Sequence, residues 1–260
     1  MIHPTAIVPS DVELPADVEI GPYAILESGI KIGTGCRIHS HAQVLTGTWM
    51  GDGNTIGHAA IIGGLPQDLS FDPATPSHLR IGDGNTFREH VTLHRSATEN
   101  ESTTLGSRNF FMAGSHVGHD CQIGDDNIVA NACLIAGHVE MGNHCFLGGG
   151  SVYHQFLRIG DHAMAQGNGQ FSKDIPPFVT AALYNRLFGL NSIGIRRSGV
   201  GPEDRRSLKK LYELVFCGSL NVSQAVAQAN EKDWAGPAQL LLNFVASPSK
   251  KGICSAQKKD

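Results

Sequence analysis

The chain has 260 residues, of which 24 are acidic and 20 are basic. This length allows one large domain, or a large domain with a small appendage. The nearly neutral charge and the lack of a polybasic stretch argue against nucleic-acid binding. The N-terminus lacks a basic segment followed by an apolar run, and no stretch of about eighteen apolar residues occurs, so we expect a cytoplasmic protein without stable membrane insertion.

Large apolar side chains recur every six residues in the first part of the chain. They are Ile2, Val8, Leu14, Ile20, Leu26, Ile32, Ile38, Val44, Met50, Ile56 and Ile62. The residue four places after each is mostly small or β-branched. A helix repeats its apolar face every three to four residues and a strand every two, so neither element explains this period.

Two segments interrupt the period. Residues 64–79 contain three prolines, and residues 95–104 are polar. We expect both segments to loop out of the structure, and loops on a rigid scaffold often carry function. The period returns between and after them at Ile81, Phe87, Leu93, Leu105, Phe111, Val117, Ile123, Val129, Ile135, Met141 and Leu147, and more weakly up to Phe171.

A hexapeptide period predicts a parallel β-helix, in which three hexapeptides form one triangular coil. Residues eighteen apart then lie above one another at about 4.8 Å. The period does not determine the handedness. We expect this domain to span residues 1–178. Cys121, Cys133 and Cys145 occupy small positions of the repeat and lack paired CxxC spacing, so we expect buried free thiols.

From residue 179 to residue 260 the hexapeptides give way to helical patterns. A Gly-Pro pair and two acids precede apolar residues at helical spacing, and the segment ends at Gly218. Segments 223–230 and 236–248 predict two further helices. We therefore expect a small C-terminal helical domain whose last dozen residues are frayed.

Histidines are concentrated in one region, because eight of the thirteen lie between positions 90 and 162. The stretch GSHVGHDC contains His116, His119 and Asp120. Coil geometry stacks Asp120 against His138, eighteen residues later, and brings His154 to the same side. A single histidine in an exposed turn is usually only a solvated turn residue. The cluster instead favours proton transfer, because an imidazole can take a proton from a hydroxyl while a carboxylate orients it.

A metal site is the competing interpretation of this cluster. Histidines from two subunits can bind zinc in β-helical trimers, although HVGHD has neither a zinc-protease nor a zinc-finger spacing. A metal-dependent hydratase or hydrolase on the same scaffold therefore stays open as an alternative.

Seven motifs resemble, in order and spacing, those of the UDP-N-acetylglucosamine 3-O-acyltransferase family, hexapeptide-repeat enzymes that begin lipid A biosynthesis. The motifs are SHVGHDC, AGHVEMG, VYHQFLRIG, IGDGNTFREHVTLHR, LPQDL, KDIPPF and FGLN. The resemblance covers nearly the whole chain. It implies a mainly β fold, a left-handed parallel β-helix with a small C-terminal α-helical domain, assembled as a homotrimer with active sites between subunits. It also implies acyl transfer from acyl carrier protein to the 3-position of UDP-N-acetylglucosamine, without metal or cofactor.

The resemblance also assigns roles to individual residues. His119 would take the proton from the sugar hydroxyl, Asp120 would orient His119, and the N–H of Gly137 would stabilise the oxyanion. Arg197 matches a residue that meets the nucleotide phosphates, and Gly167 matches the end of the acyl groove. The remaining matches to substrate-binding positions are Asp68, His94, His116, His138, His154, Gln155 and Asn191.

The chain departs from the family pattern at several positions. After DIPPF the family commonly has a short loop with Gly and Asn, whereas this chain has Tyr184, Asn185 and Arg186. Ser70 and Ser198 stand where basic residues are frequent. A non-catalytic paralogue that binds sugar nucleotides is therefore a second alternative. The acyl length, and the choice between a 3-hydroxyl and a 3-amino acceptor, do not follow from the sequence.

Overall fold

The computed structural model describes residues 1–256. Its strands are short, and most contain two residues. In the first half they are β1 Glu19–Ile20, β2 Ile25–Leu26, β3 Lys31–Ile32, β4 Arg37–Ile38, β5 Gln43–Val44, β6 Thr48–Met50, β7 Thr55–Ile56, β8 Ile61–Gly64, β9 His78–Ile81, β10 Thr86–Phe87, β11 Thr92–His94 and β12 Ser102–Leu105. The others are β13 Phe110–Phe111, β14 His116–Val117, β15 Gln122–Ile123, β16 Ile128–Val129, β17 Leu134–Ile135, β18 Glu140–Met141, β19 Phe146–Leu147, β20 Val152–Tyr153, β21 Arg158–Ile159, β22 Met164–Ala165, β23 Gln170–Phe171, β24 Val179–Ala182, β25 Arg186–Leu190 and β26 Ser255–Ala256.

Up to β23, each strand pairs in parallel with the strand three places further along the chain, so three sheets form the sides of a prism. Sheet 1 has the order β1-β4-β7-β10-β13-β16-β19-β22-β24-β25-β26, sheet 2 has β2-β5-β8-β11-β14-β17-β20-β23, and sheet 3 has β21-β18-β15-β12-β9-β6-β3. From β12 to β23 the register is eighteen residues, as in the pairing of Leu134 with Val152. The fold is the predicted left-handed parallel β-helix.

The core of the prism consists of the large hexapeptide residues. Val117, Ile135 and Tyr153 follow one another in the interior of sheet 2, and each is at most 2% exposed. Cys121, Cys133 and Cys145 are also buried in the core, which confirms the predicted packing positions. Burial raises the pKa of all three thiols to about 12, so they stay protonated and unreactive at neutral pH.

Both segments that break the period leave the prism, with narrower bounds than the sequence predicts. β8 ends at Gly64 and β9 begins at His78, so the first connection covers residues 65–77. β11 ends at His94 and β12 begins at Ser102, which leaves residues 95–101 for the second. The difference arises because β9 and β12 pair over four residues, from Ser102 with His78 to Leu105 with Ile81.

Between residues 179 and 256 the chain forms four α-helices, α1 Ser192–Arg197, α2 Pro202–Tyr212, α3 Val222–Ala229 and α4 Gly236–Ala246. α2 continues as a π-helical segment, Glu213–Cys217. The three helices predicted from apolar spacing are confirmed, whereas α1 and the antiparallel pair β24 and β25 lack such a pattern. Sheet 1 runs on through β24 and β25, so the domain boundary after residue 178 stays a prediction.

The predicted fraying of the C-terminus is wrong for residues 249–256. Ser255 and Ala256 pair in parallel with β25, and Cys254 is buried beneath them. Main-chain pairing with an edge strand holds this segment despite its polar composition. Residues 257–260 lie outside the described residues. Among residues 1–256, no helix has the length and apolar character needed to cross a bilayer.

Candidate active site

The histidine cluster lies at the corner between sheets 2 and 3. Asp120, His138 and Phe156 stack there at intervals of eighteen residues, each with a positive φ of 59–65°. The His138 N–H donates to the His119 carbonyl at 2.9 Å, and the rings of His138 and Phe156 stack at 4.5 Å. This arrangement confirms the prediction that Asp120 and His138 are stacked neighbours.

His119 and Asp120 form a hydrogen-bonded pair. Nδ1 of His119 lies 2.7 Å from Oδ2 of Asp120, and both side chains are 11% exposed. Burial by itself would raise the pKa of Asp120, but hydrogen bonds from Ser96 and His119 outweigh it and hold the pKa below its usual value. Asp120 is therefore a carboxylate at neutral pH and accepts a hydrogen bond from the Nδ1–H of His119. This leaves Nε2 of His119 with a free lone pair.

His138 is the third polar group of this corner. Its Nε2 lies 3.8 Å from Oδ2 of Asp120, and its ring meets the His119 ring edge-on at 5.1 Å. Burial lowers the pKa of His138 more than the Asp120 charge raises it. The imidazole is therefore uncharged at neutral pH and can take part in hydrogen bonds.

These three residues are also the described residues that could hold a metal ion, with ligand atoms within 4.8 Å of one another. The donor set fits a hydrogen-bonded pair better. Oδ1 of Asp120 accepts from Ser96, and Oδ2 accepts from His119 and from the Ala97 N–H at 3.2 Å. A metal would have to replace hydrogen bonds that the chain already supplies.

A cavity of about 560 Å³ opens beside the imidazole of His119. Six predicted site residues line it, namely His94, His116, His119, Gly137, His154 and Gln155. Its walls also include the apolar residues Leu134, Val152, Tyr153 and Phe171. The cavity therefore combines convergent polar groups with an apolar surface, as a site for an amphipathic ligand requires.

His94 and His116 lie on the N-terminal side of the cavity. Nδ1 of His116 is 2.8 Å from Oγ1 of Thr92, and the rings of His94 and His116 meet edge-on at 4.7 Å. Burial lowers the pKa of His94 to about 4 and also lowers that of His116. At neutral pH both rings offer hydrogen bonds without charge.

Gly137 lies one coil above His119 and faces its imidazole. A Cβ atom on Gly137 would lie 2.9 Å from both Cε1 and Nε2 of His119, so only glycine leaves this space open. Within residues 1–256 the Gly137 N–H donates no hydrogen bond. A free N–H beside the proton-accepting nitrogen is the geometry that a developing oxyanion needs.

The other predicted residues do not line this cavity. Asp120 and His138 line a second cavity, of about 240 Å³, on the far side of the pair. Asp68, Gly167, Asn191 and Arg197 are absent from the lining of both cavities in the described chain. Their predicted roles stay predictions.

Asp68 and Asn191 form side-chain hydrogen bonds within the protomer. The Asp68 carboxylate accepts from the Ser70 N–H and hydroxyl at 2.8 and 2.7 Å, which lowers the pKa of Asp68. The Asn191 side chain caps α1 by accepting from Gly194 at 3.0 Å and donates to the His162 carbonyl. The contacts of Asn191 fix the start of α1.

Gln67, Tyr184 and Ser96 belong to this region, although sequence reasoning assigned none of them a role in the site. Gln67 and Tyr184 line the large cavity, and Ser96 holds Asp120. All three lie in segments without hexapeptide spacing, where the position of a side chain cannot be derived from the period. For Gln67 and Ser96 the available signal was that their segments leave the prism, and for Tyr184 it was the departure from the family pattern after DIPPF.

A prism of hexapeptides with a histidine-carboxylate pair beside a ligand-sized cavity fits the class of hexapeptide-repeat transferases. Sequence comparison agrees, because residues 102–137 match the bacterial transferase hexapeptide family. Residues 174–254 match the family described as UDP N-acetylglucosamine O-acyltransferase, domain 2.

Full-length relatives give the particular family. The chain is 42% identical over 260 residues to the acyl-(acyl-carrier-protein)-UDP-N-acetylglucosamine O-acyltransferase of Paraburkholderia phymatum and 40% identical to that of Herminiimonas arsenicoxydans, covering 97% of this chain and 98% of each relative. The crystal structure of the UDP-N-acetylglucosamine O-acyltransferase of Moraxella catarrhalis superposes with a TM-score of 0.92 at 36% identity, covering 97% of this chain and 99% of the other. The chain belongs to the UDP-N-acetylglucosamine O-acyltransferase family.

Proposed function

We propose that the protein transfers an acyl chain from acyl carrier protein to the 3-position of UDP-N-acetylglucosamine, the reaction that begins lipid A biosynthesis. The observation that carries this proposal is the 2.7 Å hydrogen bond between His119 and Asp120 at the wall of the large cavity. The names of the full-length relatives support the two substrates.

The geometry supports direct attack on the thioester. Nε2 of His119 takes the proton of the sugar 3-hydroxyl as its oxygen bonds to the thioester carbonyl carbon. The Gly137 N–H donates to the resulting oxyanion, and Asp120 stabilises the imidazolium. The C–S bond then breaks, and the leaving thiolate takes the proton from His119. No covalent enzyme intermediate is needed.

Substrate binding is shared among the polar groups of the cavity. His94, His116, His154 and Gln155 offer hydrogen bonds, and the apolar wall accepts the acyl chain. Within the proposal, His138 also contacts substrate from the same corner. Asp68, Asn191 and Arg197 act across a subunit boundary, with Arg197 on the nucleotide phosphates, while Gly167 lies at the end of the acyl groove.

We propose a homotrimer, and the outer face of sheet 1 supports contact between copies. Its outward side chains on four successive strands are apolar, namely Phe110, Ile128, Phe146 and Met164. Ile128 and Phe146 are 38% and 37% exposed in the protomer. The equivalent positions on sheet 3 carry Gln122, Glu140 and Arg158. An exposed apolar column of this length is suited to burial against another copy.

The cytoplasm is the compartment that we propose. Five cysteines, Cys36, Cys121, Cys133, Cys145 and Cys254, are buried free thiols. Buried thiols without cross-links are typical of proteins kept in a reducing compartment.

Mass spectrometry of reaction products tests the function. The purified protein is incubated with UDP-N-acetylglucosamine and a mixture of acyl carrier proteins with different acyl chains. Acylated sugar nucleotide is expected, and its mass gives the acyl length. His119→Ala should lose at least about a hundredfold in turnover, as expected for a general base. The matched control is His90→Ala, an exposed turn histidine with the same positive φ as Asp120 and His138.

Two results would overturn the proposal. Binding of the sugar nucleotide without transfer from any acyl carrier would identify the non-catalytic paralogue. Stoichiometric zinc, with activity lost to a chelator, would identify a metal-dependent hydratase or hydrolase.

A further inference from the structure

We infer that Ser96 is a positioning residue for the reaction, because it fixes the carboxylate of Asp120 that orients His119. This inference rests on the proposed function. Ser96 follows the last strand residue of β11 by two places and belongs to the connection 95–101, so it approaches the catalytic pair from outside the hexapeptide period.

Ser96 binds the carboxylate oxygen that His119 leaves open. Its Oγ donates to Oδ1 of Asp120, whereas His119 and the Ala97 N–H donate to Oδ2. The Ser96 side chain is completely buried, so water does not compete for this contact. With both oxygens bound, the carboxylate cannot rotate about its Cβ–Cγ bond without losing hydrogen bonds at both ends.

The hydroxyl itself has a defined direction. The Thr98 N–H donates to Oγ of Ser96 at 2.9 Å, which uses one lone pair of the oxygen. The single hydroxyl proton is then shared between Oδ1 of Asp120 and the Thr98 carbonyl, which is 3.2 Å away. The carboxylate is the stronger acceptor because it is charged and closer.

The Ser96 backbone is also fixed from both sides. Its N–H donates to the His78 carbonyl at 3.1 Å, and its carbonyl accepts from the Ser77 hydroxyl. The hydroxyl is therefore held in place by β9 and by the end of the first connection. It acts on His119 through Asp120 and does not line the large cavity.

Removal of the hydroxyl should change turnover rather than substrate binding. In Ser96→Ala, Oδ1 of Asp120 loses its partner in a buried position, and the carboxylate can turn away from Nδ1 of His119. A hydrogen bond to a charged group is stronger than a neutral one, so we expect kcat to fall about tenfold. KM for both substrates should stay within about twofold, since the cavity wall is unchanged.

Three further variants make the comparison specific. Ser96→Thr keeps the hydroxyl and should restore most of kcat. Ser96→Cys has a weaker donor and should give an intermediate kcat, and it serves as the test if Ser96→Ala does not fold. Ser115→Ala is the matched control, because Ser115 is equally buried and its hydroxyl donates to the Met112 carbonyl at 2.8 Å. Its kcat should equal that of the wild type.

Nitrogen-15 NMR of His119 gives a signal that does not depend on acyl transfer. The wild type should show the proton on Nδ1, and Ser96→Ala should show a mixture of the two tautomers. Wild-type kcat with a single tautomer in Ser96→Ala, or a raised KM with unchanged kcat, would overturn the inference. Absence of acyl transfer in the wild type would instead reject the proposed function, while the NMR comparison would still test Ser96.

Discussion

His119 and Asp120 are consecutive residues, yet Nδ1 of the first lies 2.7 Å from Oδ2 of the second. Consecutive side chains of an extended chain point to opposite faces. The φ of 59° at Asp120 breaks this alternation and turns its carboxylate back towards the imidazole. The turn of the β-helix thus builds the pair, and the Thr103 hydroxyl supports the turn by accepting from the Asp120 N–H at 2.7 Å.

The first prediction is that His119 and Asp120 act as one unit. His119→Ala should lower kcat at least about a hundredfold and Asp120→Asn about tenfold or more, since asparagine keeps the size and the positive φ but not the charge. The double variant should be no worse than His119→Ala alone, because residues of one unit are not additive. Steady-state kcat at saturating substrate measures this, with circular dichroism as a folding control. Multiplicative losses would mean that the two residues act separately.

The second prediction concerns Gly137. In Gly137→Ala the new methyl group would press on Nε2 and Cε1 of His119 at 2.9 Å, so we expect a loss of kcat of about tenfold or more in a folded protein. Gly149 occupies the same place in its turn, two residues after a large core residue. The atom nearest to its Cβ would be the Asn131 carbonyl oxygen at 3.2 Å, and no catalytic side chain lies within 4 Å among the three nearest atoms. Gly149→Ala should therefore keep nearly full activity. Equal kcat values for the two variants would contradict a role of Gly137 in catalysis.

The sequence predicts the prism and part of the site for the same reason. A fixed coil of eighteen residues determines which side chains are neighbours, so the contact between Asp120 and His138 follows from their numbers alone. Ser96 and Tyr184 lie in segments without a period, where the path of the chain depends on packing and hydrogen bonds between distant residues. The pairing of β26 with β25 was not predicted for the same reason, because the polar C-terminal segment has no sequence pattern that identifies its partner strand.

The third prediction concerns the pH dependence of stability at His94. Burial lowers the pKa of His94 from 6.5 to about 4. Between these values the unfolded chain binds a proton that the folded chain does not. The free energy of unfolding should therefore fall as the pH drops through this window, by about 1 kcal/mol per pH unit from this group. Stability above pH 6.5 should not depend on it.

Urea unfolding at pH 7.5 and at pH 5.0 measures this effect, at constant protein concentration because the protein is proposed to be oligomeric. His94→Gln keeps a polar side chain that does not titrate. Its loss of stability between the two pH values should be smaller than that of the wild type. An equal loss in both proteins would show that His94 is not the source.

The last prediction tests the apolar column of sheet 1. Phe146 lies between Ile128 and Met164 in register, and all three face outwards. Phe146→Glu would place a carboxylate in the proposed subunit contact, where loss of hydration opposes association. Sedimentation equilibrium should show a trimer for the wild type and smaller species for Phe146→Glu. Glu140→Lys, at the equivalent position of sheet 3, should remain a trimer.

Acyl transfer should fall together with the trimer, because the proposed site needs residues from a neighbouring subunit. Asp68 and Arg197 are absent from the lining of both site cavities of the described protomer, so a dissociated chain would lack the contacts proposed for them. A monomeric wild type, or a dissociated Phe146→Glu with full activity, would contradict a shared site. A trimeric Phe146→Glu would instead place the subunit contact on another face of the prism.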